Sequence, residues 1–410
     1  MMIPELIKSK LRSIRDRILP YMQELKEYRS FISQLKLPFG NEMLPQNKVL
    51  ERRWEESEGR RILFYADMDF SGSLFKWVEA INKNTNFAAR LVTSQPHPYG
   101  YPLDILIPDY LPKSIRMRNT CYEAMYDKIH RLVAEANVVH FKEEAKLFIA
   151  SPECKNDQIS SIIEKEARNA KIPIVFTLCG SFARHHQNDV VYRSFIKTFN
   201  TVVSMTPDLC FDWIDKPLYI PHAIDTDKFT PTWKDGKLVT HSPSSKDKKG
   251  TEQFLEAVNL LKKFNFNIET DIITNTSFEE CLRRKGESSL FFDQAGRSKT
   301  SNDQNSETIG WYGNSAIEAM AFGIPVIAHL SKKAFEGAKR AGNLAVLSCP
   351  VINVECEDVE SIRKAIEDYF LLDTLDRRKL SNSTRAWAES FHSYKAVAKS
   401  LADVYCKLLR

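Results

Sequence analysis

The chain has 410 residues, of which 43% are hydrophobic, 27% charged and 11% aromatic; this is the range of folded globular proteins and excludes disordered and collagen-like classes. That length exceeds one ordinary domain and predicts two. The formal net charge of +5 fits either an anionic ligand or a Lys-rich surface, and no nucleic-acid partner is expected. The eight cysteines form no CxxC pair and no Cys/His spacing suited to zinc, so reduced thiols are expected and no metal site. No apolar run approaches the roughly 20 residues that span a bilayer. Lys8, Lys10, Arg12, Arg15 and Arg17 interrupt the N-terminus where a signal peptide is apolar. Cytoplasmic residence is the default expectation.

In residues 5–30, Ile7, Leu11, Ile14, Ile18, Met22 and Leu25 recur at steps of three and four, the period of one helical face, which Pro20 interrupts. Basic residues lie mainly off that face. The pattern suits either a helix packed on the first domain or peripheral contact of residues 1–30 with the inner face of an anionic membrane. Residues 38–60 read as a connection. From Arg61, short β-rich runs (Ile62–Ala66, Ala88–Thr93, Asn137–Phe141, Ile172–Leu178) alternate with amphipathic stretches (Leu74–Asn82, Ile159–Asn169). That alternation predicts βαβ units around a parallel sheet.

Strands at Thr201–Met205 and Leu218–Pro221 follow, and Asp225–Pro231 reads as a hinge, after which the rhythm restarts. Strands are expected at Lys237–His241, Ile268–Ile273, Ser289–Asp293 and Pro325–Ala328, with helices at Thr251–Lys263, Phe278–Lys285, Asn314–Phe322 and Val359–Phe370. The polar run between Asp293 and Gly310 is expected to be a mobile loop. Thr384–Arg410 is helical in pattern, with Trp387, Phe391, Val397, Leu401 and Val404 as buried candidates. The expected division is an N-terminal helical extension and connection (1–60), a Rossmann-like domain (61–222), a second Rossmann-like domain (223–385) and a C-terminal helix packing back toward the first domain (386–410).

The most informative segment is Gly310-Trp-Tyr-Gly-Asn-Ser-Ala-Ile-Glu-Ala-Met-Ala-Phe-Gly-Ile-Pro-Val-Ile-Ala328. It reads as a glycine turn into a short helix, then Gly-x-Pro and an apolar strand. Gly313 lets backbone approach a ligand, and the N–H groups of Asn314 and Ser315 would meet phosphate oxygens at the positive end of the helix. Glu318, one turn further in, is placed to accept from a diol such as a ribose. The segment resembles the donor-binding signature of the family 4 retaining glycosyltransferases, which have the GT-B fold: two Rossmann-like parallel-sheet domains facing across a cleft.

That family pattern begins with a Glu and ends in Glu-Ala-Met-Ala-x-Gly-x-Pro-Val. This chain keeps the second Glu as Glu318, but Gly310 occupies the position of the first, which contacts the donor sugar; Asp293 and Glu307 are candidate substitutes. Three further segments extend the resemblance. Ile220-Pro-His-Ala-Ile-Asp-Thr-Asp-Lys-Phe-Thr-Pro231 is similar to the family's interdomain segment. His241-Ser-Pro-Ser-Ser-Lys-Asp-Lys-Lys-Gly-Thr-Glu252 is similar to its Gly-Arg-Leu-x-x-x-Lys-Gly segment, so Lys249 beside Gly250 would neutralise the donor diphosphate. Lys246 and Lys248 are the candidates for the family's Arg. Asp67-Met-Asp-Phe-Ser-Gly-Ser73 looks like the glycine loop between acceptor and phosphates, which places Gly72 on the donor and Asp69 on the acceptor or sugar side. Aspartates spaced like Asp67 and Asp69 can also bind a divalent cation, but the resemblance implies a fold that needs none.

Val175-Phe-Thr-Leu-Cys-Gly-Ser181 matches a strand and turn where the family has Thr-x-His-Gly, so Cys179 stands in the place of a sugar-contacting His. His140 ends a strand facing the same cleft by register and reads either as a cleft residue or as a hydrogen-bonded structural one.

The resemblance, which spans roughly residues 61–400, implies transfer of a sugar from a nucleotide-diphosphate donor to a glycan, lipid-linked or protein acceptor. Retention of configuration is implied, with no metal and no cofactor beyond the donor. Lys249 and Glu318 are then the catalytic candidates, and Tyr312 and Trp311 are expected to line the sugar pocket. Two alternatives stay open. The missing first Glu and the Cys at 179 suit a non-catalytic nucleotide-sugar-binding or scaffold protein, and the same fold also hosts nucleotide-sugar epimerases.

Overall fold

The computed structural model describes residues 19–20, 22–27, 29, 45–97, 100–107, 115–143, 147–148, 159–298, 307–308 and 310–410. Of the expected N-terminal helix, positions 19–20, 22–27 and 29 are helical, and the rest lies outside the described residues, as does most of the polar run before Gly310. Of that run, 294–298 and 307–308 are described, with Arg297–Ser298 pairing antiparallel with Glu307–Thr308.

The first domain begins with a helix, α1 (Pro45–Glu56), and alternates β1 (Arg61–Met68), α2 (Ser73–Asn84), β2 (Ala88–Gln95), β3 (Ile105–Leu106), α3 (Ile115–Glu135), β4 (Val138–Lys142), α4 (Ile159–Asn169), β5 (Ile174–Leu178), α5 (Gly180–His186), α6 (Val190–Ile196), β6 (Thr201–Ser204) and β7 (Leu218–Tyr219). Its strands make one wholly parallel seven-stranded sheet in the order β3-β2-β1-β4-β5-β6-β7. Both faces are covered, which is why β4 and β5 read as continuous apolar runs rather than alternating ones. One face carries Leu63, Val139, Phe141 and Phe176 against α3, α4 and α6. The other carries Ile62, Phe64, Val138 and Val175 against α2 and the C-terminal helix.

The second domain repeats the plan with β8 (Leu238–His241), α7 (Lys246–Lys249), α8 (Thr251–Lys263), β9 (Glu269–Ile272), α9 (Phe278–Lys285), β10 (Leu290–Phe292), the antiparallel pair β11 and β12 just given, α10 (Asn314–Ala321), β13 (Val326–Ala328), α11 (Lys332–Arg340) and β14 (Ile352–Asn353). The parallel strands order as β14-β13-β10-β8-β9. Helices α12 (Val359–Leu371), α13 (Thr374–Trp387) and α14 (Tyr394–Leu408) complete the chain.

Helix α14 leaves the second domain and lies on α2 of the first, burying Val397, Leu401 and Tyr405 among Leu74, Trp77 and Ile81. The crossing is bonded to the hinge: Ile224 N–H donates to His392 O at 2.8 Å and Tyr394 N–H donates to Ile224 O at 3.1 Å. Among the described residues no helix is long and apolar enough to cross a membrane.

Three buried histidines, His140, His241 and His392, and the half-buried His222 lie in and between the two domains. His140 bridges Tyr405 OH (2.8 Å) and Thr177 Oγ1 (2.5 Å), and His241 sits between Phe292 O (2.9 Å) and Thr251 Oγ1 (2.8 Å). His392 Nδ1–H donates to His222 O at 2.8 Å. Burial lowers His140 and His222 to about 3, and His241 and His392 to about 4. The folded protein therefore refuses protons that the unfolded chain accepts below its ordinary His pKa of about 6.5. Stability should fall as pH drops from about 7 to 5, each histidine removing on the order of 2 kcal/mol by pH 5. Urea unfolding across that range reads it, and a midpoint that is flat or rises on acidification contradicts it.

Candidate active site

In the second sheet the strand succession reverses at β8, which lies between β10 and β9. Loops leaving the carboxyl ends of β8 and β10 diverge at such a point and open a crevice. The loop after β8 runs through α7 and is closed by Gly250 in the left-handed region (φ 69°). A Cβ there would also sit 3.1 Å from the backbone of Ala295 and Gly296, so glycine lets the turn lie directly on the segment that follows β10. Lys249 Nζ consequently reaches Asp293 Oδ1 at 3.1 Å and Gln294 Oε1 at 2.7 Å. Asp293 Oδ2 accepts from the Gly313 N–H at 2.7 Å.

Gly313 is the N-cap of α10, and a Cβ on it would lie 3.2 Å from Lys249 Nζ. An ammonium and the positive end of a helix thus converge on one carboxylate, the arrangement of an anion cradle. Asp293 fills that cradle from within. The first N–H groups of α10, Asn314 and Ser315 among them, have no intrahelical acceptor, and both residues are half-buried. Lys246 is exposed on the turn.

Glu318 lies farther along α10 and is buried. Its Oε2 accepts from Lys285 Nζ at 2.8 Å, and Lys285 also donates to Ser315 Oγ at 2.8 Å. Ser315 Oγ in turn lies 2.5 Å from Ser242 Oγ in the loop after β8. From the other domain, Lys76 on α2 reaches Glu318 Oε1 at 3.9 Å. Around this crossing a cavity of about 130 Å³ opens between the domains, lined by Lys76 and Glu318 and walled by Phe75, Tyr101, Phe229 and Phe278. Tyr101 and Phe278 meet edge to face across it at 6.1 Å.

The first sheet reverses at β1, between β2 and β4, and the loop after β1 carries Asp69 and Gly72. Gly72 is left-handed (φ 60°) and caps α2 under the Tyr101 ring, which a Cβ would approach to 3.2 Å. Asp69 is buried: Oδ1 accepts from Leu74 N–H (3.0 Å) and Lys142 Nζ (3.0 Å), and Oδ2 accepts from Phe75 N–H (2.9 Å). Burial opposes the charge on Lys142, but Asp69 and the neighbouring acids outweigh it and its pKa is raised. Asp69 is therefore committed to shaping the loop rather than offered to an acceptor. Cys179 is the half-buried N-cap residue of α5, and burial, aided by Glu143, pushes its thiol up to about 12.

The structural reading of His140 holds over the cleft reading, and the expectation that Tyr312 and Trp311 line the sugar pocket is corrected. His140 does not face the cleft: both ring nitrogens are bonded inside the core and the ring stacks on Phe64 at 4.7 Å. Register sends alternate β4 side chains to opposite faces of the sheet, and the apolar cover of α14 claims this one. Tyr312 does not line a sugar pocket: it is buried, and its hydroxyl is bonded to His392 Nε2 (2.8 Å) and Trp387 Nε1 (2.9 Å), which ties the glycine turn to the C-terminal crossing. Trp311 is buried beside it. Gly310 has no room for a donor-contacting side chain, because a Cβ would lie 2.7 Å from Ser331 Cβ, a clash that rotating the hydroxyl does not relieve. Of the two candidate substitutes for the family's first Glu, Asp293 is in the cradle, while the side chain of Glu307 lies outside the described residues.

Lys76, Lys142, Lys285 and Gln294 were not singled out by sequence. Lys285 closes an Arg-Arg-Lys run that looks solvated, yet it falls four residues after Cys281 and three after Leu282, both half-buried, on the inward face of α9. That spacing was the available signal.

No protein-family model matches the sequence, and no curated protein matches it. Solved structures do. A glycosyltransferase from Rickettsia africae ESF-5 superposes with a TM-score of 0.54 at 14% identity, covering 86% of this chain and 99% of that one. An α-glucosyltransferase, solved with UDP-glucose and DNA containing an abasic site, gives 0.55 at 14% identity, covering 84% and 99%. Anabaena HepE, solved with UDP and glucose, gives 0.54 at 11% identity, covering 85% and 100%. At these identities the likeness shows the fold: two Rossmann-like domains facing across a cleft, the GT-B arrangement.

The crowding at Gly310 gives a direct test. Placing a carboxylate there with Gly310→Glu should displace Ser331 from the N-cap of α11 and destabilise the protein by about 1–3 kcal/mol through overpacking. A urea midpoint equal to wild type would show that the position is open after all.

Proposed function

We propose that the protein is a glycosyltransferase that takes a sugar from a nucleotide-diphosphate donor, retains its configuration and requires no metal. The observation that carries this reading is the convergence of Lys249 Nζ and the Gly313 end of α10 on a single anion position, with Glu318 farther along the same helix. A diphosphate entering the cradle would replace the Asp293 carboxylate there. Lys249 and the helix-end amides would then stabilise the charge that builds on the departing phosphate. Glu318 accepts from the ribose hydroxyls. Gly72 and its loop close the first-domain side, where the acceptor enters, and contact between the domains excludes water from the reacting atoms. The neighbours solved with UDP or UDP-glucose support a nucleotide-sugar donor by fold likeness. No nucleophile is assigned, and the acceptor class stays a glycan, a lipid-linked group or a protein.

Two observations favour a second reading. The self-filled cradle and the blocked position at Gly310 suit a protein that binds nucleotide sugars without turning them over.

The test is a thermal-shift and donor-hydrolysis screen with UDP-, GDP- and ADP-sugars, with and without EDTA. Under the transferase reading one donor raises the melting temperature by mass action and is slowly hydrolysed regardless of EDTA. Lys249→Met should weaken the matching nucleoside diphosphate by roughly tenfold or more, the equivalent of one charged hydrogen bond, and the nucleoside far less. Binding without hydrolysis, with candidate acceptors present, selects the second reading. No stabilisation by any donor rejects both.

A further inference from the structure

We infer that Lys285 is the positioning residue that fixes the Glu318 carboxylate for a ribose diol; this rests on the donor-site reading above. Helix α9 ends in Arg283-Arg284-Lys285. Arg283 pairs with Glu280 at the surface and Arg284 with Asp271. Lys285 alone turns inward, and its side chain is 0% exposed. An ammonium in such a place is tolerated only when paired, and an apolar residue of similar length would pack there with no electrostatic cost. The lysine is therefore poorly explained as packing.

Its donors account for its position. An ammonium has three N–H groups and no acceptor. One reaches Glu318 Oε2 at 2.8 Å and another Ser315 Oγ at 2.8 Å, while the Phe291 ring lies 5.1 Å beneath. Ser315 is linked onward to Ser242 at 2.5 Å, so the network spans the loops at both carboxyl ends of the strand reversal. Holding Oε2 in this way leaves Oε1 directed toward Lys76 and the interdomain cavity. A carboxylate is acceptor-only, so what it recognises must bring donors, and paired hydroxyls fit. Glu318 lies five residues from Gly313 in the sequence, roughly 7.5 Å along the helix by its rise. That is about the separation of diphosphate and ribose hydroxyls within one nucleotide.

The inference is tested by calorimetric titration of UDP, GDP and ADP, each against its 2′-deoxy form. Wild type should prefer the ribonucleotide it binds by roughly tenfold or more, as for one hydrogen bond to a charged group. In Lys285→Met and in the near-isosteric, uncharged Lys285→Gln the preference should shrink below roughly threefold, and pyrophosphate affinity should be unchanged. The Gln variant decides the matter if the Met variant does not fold. General loosening of the site would weaken both nucleotide forms alike, so the ratio isolates positioning from structure. Full preference retained in a folded Lys285 variant overturns the role of Lys285. Nucleotide binding without ribose preference in wild type overturns the assignment of Glu318 to the diol. Binding of no nucleotide at all overturns the donor-site reading and this inference with it.

Discussion

The pairing of Ile224 with the main chain on either side of Ser393 is the constraint on which the cleft depends. The chain passes between the domains twice, once at the hinge and once on its return to α14, and the two passages are hydrogen-bonded to each other there. Around them Trp77 Nε1 donates to Pro221 O at 3.1 Å, Lys83 pairs with Asp225 at 2.7 Å and Tyr394 OH donates to Glu79 at 2.6 Å. Each hydrogen bond contributes only about 1 kcal/mol net. Packing adds more, because Val397 and Leu401 are wholly buried on α2, each burial being worth about 1.5–3 kcal/mol. The hinge is thus a built joint. It sets how far the Gly72 loop can stand from the start of α10, and the Lys76–Glu318 contact follows from that spacing.

From that joint one hydrogen-bonded line runs to the glycine turn of the second domain. His222 O accepts from His392, whose other nitrogen accepts from Tyr312 OH, and Tyr312 belongs to the glycine turn that begins α10. The turn that presents the helix end is therefore tied to the backbone of the hinge through side chains carrying no net charge. Three lysine–carboxylate pairs lie at the carboxyl edges of the two sheets, Lys142 with Asp69, Lys249 with Asp293 and Lys285 with Glu318, whereas the buried Arg90–Asp104 pair lies away from them. Pairs of this kind roughly break even against hydrophobic replacements in stability. Their concentration at two strand-reversal points is better explained by what they position than by what they stabilise.

Much of this architecture was legible in the sequence because parallel strands covered on both faces leave long apolar runs and regular alternation. The helices Ile159–Asn169, Thr251–Lys263 and Phe278–Lys285 occupy the residues that periodicity picks out. Residues 45–56, expected to belong to a connection, form α1, and α3, α11 and the strands β3 and β14 were not legible either. The two strands are two residues long, with no room for a period, and Lys332–Arg340 buries only Ala334, Gly337 and Ala338 on its inner face. Small residues pack closely without giving a hydrophobic stripe: a Cβ on Gly337 would lie 1.9 Å from Pro207 O of the first domain. At the site, motif spacing located Lys249, Gly313 and Glu318. It could not show their partners, since Lys76 and Lys285 come from elements distant in sequence and are brought there by the fold alone.

The differences from the pattern that the sequence resembles have a physical account that motif comparison lacks. Gly310 is glycine because Ser331, whose N–H donates to Gly310 O at 3.1 Å, must sit against it to cap α11. A side chain at 310 and that cap exclude each other. With the first Glu excluded, the carboxylate nearest the cradle is Asp293, supplied by the end of β10 rather than by the turn. A carboxylate on a strand end is held more rigidly than one on a turn, and this one already carries two positive partners. On the proposed reading a diphosphate would compete with Asp293 for Lys249 and the helix end, and its affinity would be a difference between two anions rather than the filling of an empty site. A cradle of that kind discriminates: it favours ligands that bring more negative charge than one carboxylate, as a diphosphate does, over those that bring less.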